Sequence, residues 1–362
     1  MTLDRTKEGK EQKRKQKIFE KFIPIFFFFD SIESEKRREA MKIRSVGKII
    51  GIGVLALLFL YILLLFILGP ILHPEFYRVS ERIEGIPGLT GDFVPQGVTM
   101  TDDGTLLICG YSSTDNPSRI YRIKDGKKSV MYLENEDGTP YKGHAGGITA
   151  IGDYVYISNA NKIFILTSSS VLSATDGDVL SFLDHLSVPC RSSFCSSDGS
   201  YLYVGEYHAK GYETDDSHII ETRDGKTYEA ITFAYKLNQN GKADTEPSFA
   251  YSTPDIVQGF ATLGDKVALS LSSGLKSSTI LFYDGKGADS SFLYEGKEIP
   301  LTILDSNRLI SELDAPHMSE DMEYRDGVLF IAFEAGAKKY GMGLVPSSIK
   351  SVMGIEIKKL FP

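Results

Sequence analysis

Hydrophobic and polar positions follow two regimes along the chain. From Ile49 to Leu68, "IIGIGVLALLFLYILLLFIL" runs twenty residues without a charge, the length an α-helix needs to cross a bilayer core. From about residue 90 the pattern changes to short, β-rich apolar runs closed by Asp-Gly or Gly-Asp pairs, a strong hairpin signal. Five stretches share one plan: "GVTMTDDGTLLICGY" from Gly97, "GITAIGDYVYISNA" from Gly147, "SFCSSDGSYLYVGEY" from Ser193, "GFATLGDKVALSLS" from Gly259 and "DMEYRDGVLFIAFE" from Asp321. In each, the second strand reaches a small residue after its aliphatic run: Cys109, Ser158, Gly205, Ser270 and Ala332.

Further strand pairs follow at 118–133, 228–251 and 278–296. Four antiparallel strands per unit, repeated every ~45–65 residues, predict an all-β fold, a β-propeller of five blades. The long intervals 193–259 and 259–321 leave room for a sixth blade, and a β-sandwich is the competing fold. Repetition has a physical cause. One twisted sheet cannot bury both faces alone, and neighbours around an axis bury them for one another. The terminal stretches "EFYRVSERIEG" and "SVMGIEIKKL" are placed to share a sheet and close the ring.

The apolar run exceeds the core of a cleavable signal, and "GPILHPEF" after it offers no A-x-A site. Residues 49–70 therefore read as a transmembrane signal anchor. Lys42, Arg44 and Lys48 in the basic flank 41–48 place the N-terminus in the cytoplasm. Residues 71–88 read as a linker and 89–362 as an extracellular propeller at the cell membrane. The first forty residues carry the charge runs "KEGKEQKRKQK" and "ESEKRREA", a pattern of disorder. They read either as a cytoplasmic tail or, in the preferred reading, as sequence upstream of the true start at Met41, where "MKIRSVGK" has the form of a bacterial n-region.

Beyond residue 48 the chain holds 26 Lys+Arg against 40 Asp+Glu, a net −14. That field argues against nucleic acid as a partner and suits a cation or a neutral or cationic ligand. Three cysteines make no disulfide framework. Five extended residues separate Cys190 and Cys195 by ~16 Å, too far for a bridge without a bend between them. Cys109 falls in the small-residue column and reads as packing. Nucleophile-elbow, zinc-protease and P-loop motifs are absent from the sequence.

The repeated units resemble the broad propeller superfamily of SMP-30/gluconolactonase, NHL and YVTN-type proteins. More narrowly, "PQGVTMT", "GHAGGITA", "VGEYH", "VQGFAT" and "FEAGAKKY" resemble motifs of secreted or membrane-anchored bacterial propellers without an established activity. In such folds the loop entering each innermost strand opens on one mouth of the channel. Here those loops carry Gln96, His144, Arg191, Gln258 and Glu320, the expected ligand-binding set for a small molecule or a protein partner. Asp321 replaces the Gly or Ser of the other copies; His144, Arg191 and Asp321 are the candidate catalytic groups. The alternative implied by the gluconolactonase likeness is a hydrolase or lactonase using calcium or magnesium, with Glu320, Asp321, Asn159 and Glu206 as oxygen ligands. Glu334 is a weaker acidic candidate, expected on an exposed blade face.

Peptide mapping of the protein's amino terminus checks the start: the expected first residue is Met41, and recovery of peptides from residues 1–40 would exclude it.

Overall fold

The computed structural model describes the backbone of residues 5–341, 344–345 and 347–361. It divides into two compact units, 1–64 and 65–362. In the first, one helix begins that spans Arg5–Leu72. Its segment Ser31–Leu65 is long and apolar enough to cross a membrane, with mean hydropathy 2.6 and no buried residue in its most apolar window. The helix runs through residues 5–40, where the charge runs suggested disorder. Lys, Glu, Gln and Arg are strong helix formers, and pairs such as Glu33–Arg37 at 3.0 Å add i,i+4 support.

The second unit is a five-bladed propeller built from antiparallel sheets. From the axis outward, the first blade is Phe93–Met100, Leu106–Ser112, Arg119–Lys124 and Lys127–Glu134. The second is Gly147–Ile151, Tyr154–Asn159, Lys162–Thr167 and Asp184–Ser187. The third is Phe194–Ser197, Tyr201–Gly205, Ala230–Lys236 and Phe249–Thr253. The fourth is Val257–Leu263, Lys266–Leu271, Ser278–Asp284 and Leu309–Ala315. The fifth is Ser319–Arg325, Val328–Phe333 and Ser351–Glu356, completed by Ser80–Gly85.

That last pairing, Ser80 opposite Ile355 through Gly85 opposite Ser351, closes the ring. Residues 71–88 are therefore part of the fold and not a linker. The short helix Pro74–Val79 buries Phe76 and Val79 completely, and Phe76 meets Phe333 edge-on at 5.9 Å. Between blades the faces are sealed by aliphatic and aromatic side chains, as where Tyr203 and Tyr251 of the third blade pack on Phe260 of the fourth.

The long intervals hold no sixth blade. They hold insertions that extend existing sheets. In the shorter interval 147–193, Val179–Ser181 likewise adds in parallel to the outer strand of the first blade. The hairpin Ser290–Tyr294 and Lys297–Ile303 adds in parallel to the outer strand of the third. The stretch 278–296, expected to be two strands of one blade, is thus shared between the fourth and third blades. The physical reason is the open edge: an outer strand has unpaired N–H and C=O groups, and a neighbouring insertion caps them. A second insertion, residues 206–229, links the middle strands of the third blade. Its Arg223 grips Asp305 through Nε and Nη2 at 2.8 and 2.6 Å, and Arg308 binds Asp289 with two bonds at 2.9 Å. All three cysteines are buried and unpaired.

Phe76→Ala should cost ~3–5 kcal/mol, the usual effect of truncating a buried aromatic, in urea unfolding of the detergent-solubilised chain. An unchanged midpoint would return residues 71–88 to the status of a linker.

Candidate functional site

Local backbone irregularities aim the side chains at one mouth. Ala145, Ser192, Ile256 and Met318 have φ of 50°, 46°, 59° and 59° and stand just before the innermost strands of blades two to five. A left-handed conformation is costly for non-glycine residues, most of all for β-branched Ile256, and is kept only where the surroundings over-determine it. Within three innermost strands the register also slips, at Pro95/Gly97, Val257/Gly259 and Ser319/Met322. A bulge re-aims the extra residue. The extra residues are Gln96 and Gln258 in the first and fourth blades and Glu320-Asp321 in the fifth.

These residues open onto a cavity of about 720 Å³, whose lining includes Gln96, His144, Arg191, Gln258, Glu320 and Glu334. That volume lies in the range of small-molecule sites. One wall is acidic and aromatic. Glu320 is buried and shares a hydrogen bond with Glu334, which also meets Tyr340. Gln96 Nε2 donates to Glu334 Oε2 at 3.0 Å. Burial and the facing Glu334 charge push the Glu320 carboxyl well up. Burial raises Glu334 too, but Tyr340, Lys339, Gln96 and Glu320 all favour its charged form. Lys339 Nζ donates to the Tyr111 hydroxyl at 2.5 Å, and the Tyr111 ring stacks on His144 at 4.5 Å.

The opposite wall comes from the third blade and its insertion. Arg191 donates from Nη1 to the Glu213 carbonyl at 2.8 Å and lies over the Tyr212 ring at 5.9 Å. Glu206 accepts from Arg191 N at 3.1 Å and Ile231 N at 3.3 Å, and bonds His218 Nδ1 at 2.6 Å. Asn159 Oδ1 accepts from His144 N at 3.2 Å, bracing the loop that carries the imidazole.

Gln96, His144, Arg191, Gln258 and Glu320 therefore all reach one cavity, as do Asn159 and Glu206. Asp321 does not. Its side chain crosses the axis, where Oδ2 accepts from Ile148 N at 3.2 Å and Oδ1 has no hydrogen-bond partner. It pairs with neither Arg191 nor His144, because the same bulge that turns Glu320 to the mouth turns Asp321 inward. Burial pushes its carboxyl up, and that of Glu323 to about 7. The four expected metal ligands do not form a cluster. Among the described residues, the group of three close ligand atoms is Glu136, Asp184 and His185, on the surface.

Tyr111, Glu334, Tyr340 and the wall 212–215 were missed or underweighted by sequence reasoning. A signal existed for Tyr111 and Glu334. Like Asn159 and Glu206, they follow within two residues of the small-residue column, where each second strand emerges at the mouth.

Protein-family profiles and characterised proteins give no match to the chain. Solved structures with a similar course include a putative glucose dehydrogenase of Thermus thermophilus, at 14% identity and TM-score 0.38 over 76% of this chain and 99% of that one. Myxococcus xanthus glutaminyl cyclase aligns at 10% identity and TM-score 0.36 over 76% and 94%. An inactive virginiamycin B lyase of Staphylococcus aureus aligns at 13% and 0.35 over 76% and 98%. The blade count rests on the sheet topology above, and likeness at this level says nothing about activity.

Loss of water inside the cavity wall, then the Lys339 charge, push His144 down to about 4. The ring is exposed to cavity solvent, which moderates the shift without reversing it. A histidine held below its unfolded value is neutral above pH 6.5, and stability is lost as pH falls from there through the folded pKa. NMR titration should place the His144 midpoint well below 6.5, and Lys339→Ala should raise it. A midpoint at or above 6.5 would contradict the geometry.

Proposed function

We propose that this protein is a membrane-anchored, extracellular bacterial propeller that binds a small polar ligand at the mouth of its channel. The observation that carries the reading is the convergence of Gln96, His144, Arg191, Gln258 and Glu320, from five different blades, on one cavity of about 720 Å³. The cavity joins a shared carboxyl pair and an amide on one side with a guanidinium and amides on the other. Tyr111, Tyr207, Tyr212 and Tyr340 around it supply flat faces in a chain that has no tryptophan. Such a lining suits a neutral or zwitterionic molecule rich in hydroxyl or amide groups, held by hydrogen bonds and by stacking on tyrosine.

The anchored reading is supported by the apolar helical segment Ser31–Leu65 and by the positive residues ahead of the apolar run. The divalent-metal hydrolase reading needs Glu320, Asp321, Asn159 and Glu206 around one ion at the mouth. Glu206 is already held by three partners and Asp321 lies outside the cavity. Binding is therefore the reading that the geometry favours.

The test is a thermal-shift panel of sugars, amino-acid amides and lactones against the detergent-solubilised full chain. A ligand of the mouth should raise Tm of the wild type, and Gln258→Leu and Tyr212→Ala should each weaken it at least tenfold. A panel without a shift, or shifts that both variants retain in full, would remove the mouth as the binding site.

A further inference from the structure

Beneath the mouth, residues at equivalent steps of the innermost strands form rings around the axis. The pairings Gly97–Cys109, Gly147–Ser158, Phe194–Gly205 and Gly259–Ser270 define one step. In the fifth blade Asp321 occupies it, beside the pair Met322–Ile331. Two residues on, on the same strand face, stand Thr99, Thr149, Ser196, Ala261 and Glu323. None of the five is more than 2% exposed.

This ring is rich in oxygen and poor in partners. The Thr99 and Thr149 hydroxyls lie within hydrogen-bonding reach of the Glu323 carboxyl, whereas Ser196 Oγ in the same ring and Asp321 Oδ1 one step above have no hydrogen-bond partner. Buried polar atoms are almost always satisfied, so two uncapped oxygens at adjacent steps of one narrow channel, beside a buried carboxyl, call for an occupant. Two carboxyls are buried here, and the nearest cation, Arg325, is 3.9 Å from Glu323 and committed to Asp102 at 2.6 Å, so an ion that displaces their protons meets no competing side-chain cation. The thiols nearby point elsewhere: Cys109 Sγ contacts the Ala145 carbonyl and Cys195 Sγ the Tyr156 carbonyl. The donor set is oxygen only, which selects a hard ion over zinc or copper.

We propose that the channel binds one divalent cation of the calcium type between Asp321 and Glu323, with the Thr149 and Ser196 hydroxyls and water completing its shell. The site is distinct from the mouth and its ligands come from the second, third and fifth blades. The ion ties those blades together at the axis.

The experiment is metal analysis of the detergent-solubilised full chain, dialysed against calcium and then desalted, with Tm measured with calcium and with EDTA. The expected result is about one calcium per chain and a Tm higher by ~5 °C at a hundredfold excess over Kd. Asp321→Asn and Glu323→Gln should lose both. Thr149→Val, which keeps shape and charge, should bind at least threefold more weakly, covering the case in which the carboxyl variants fail to fold. Glu320→Gln, at the mouth, should retain the metal. A wild type free of metal whose Tm ignores calcium and EDTA overturns the proposal, as does calcium lost from Glu320→Gln but kept by Glu323→Gln. Neither result bears on ligand binding at the mouth, which the Gln258 and Tyr212 variants report separately.

Discussion

Everything in the ring depends on how closely the five innermost strands approach one another at the axis. A Cβ on Gly147 would stand 2.4 Å from Cys195 N, one on Gly97 2.7 Å from Ile148 N, and one on Gly259 2.8 Å from the Asp321 Cα. No side chain fits at those points. With glycine there, backbone meets backbone and the channel narrows to a waist. At the same level Phe194 turns back over Gly205 into the apolar core of its blade, and Asp321 points across the axis. The waist separates two polar compartments, a wet mouth above and an oxygen-lined ring below.

The mouth gains its character from departures from symmetry. Five similar strands would present five similar residues, yet bulges in three blades turn Gln96, Gln258 and Glu320 outward, and left-handed residues in four blades set the entry of the chain. Two loops outside the repeat then raise the walls. The insertion 206–229 is pinned by Glu206–His218 and by Arg223, and the turn Lys338–Tyr340 brings Lys339 and Tyr340 beside the carboxyl pair. The strained Ile256, at φ 59°, is held by backbone hydrogen bonds on both sides, from its N–H to the His208 carbonyl at 2.9 Å and from Ser272 N to its carbonyl at 3.1 Å.

Closure of the ring by Ser80–Gly85 gives the residues after the apolar helix a structural task. The strand is the outermost of the fifth blade, and Phe76 ahead of it is part of the core between the fourth and fifth blades. Joining the two ends of a propeller in one sheet leaves no open seam between the fifth blade and the first.

Much of this was legible in the sequence. The Asp-Gly and Gly-Asp turns, the apolar runs and the small-residue column determine five hairpins at the axis, because turn chemistry and strand period are local properties. The apolar helical run is equally local. The loops before Gly97, Gly147 and Gly259 pointed to Gln96, His144 and Gln258 because a propeller brings equivalent positions together. What the sequence could not decide depends on contacts distant in the chain. The partner of each edge strand is one such matter: 290–294 lies near the fourth blade in sequence and completes the third in space. The direction of Asp321 is another. One bulge, a matter of register between Ser319–Arg325 and Val328–Phe333, sends neighbouring Glu320 and Asp321 to opposite sides of the waist. Local chemistry determined the elements, and only tertiary packing, through register and edge pairing, decided which of their acids share a cavity.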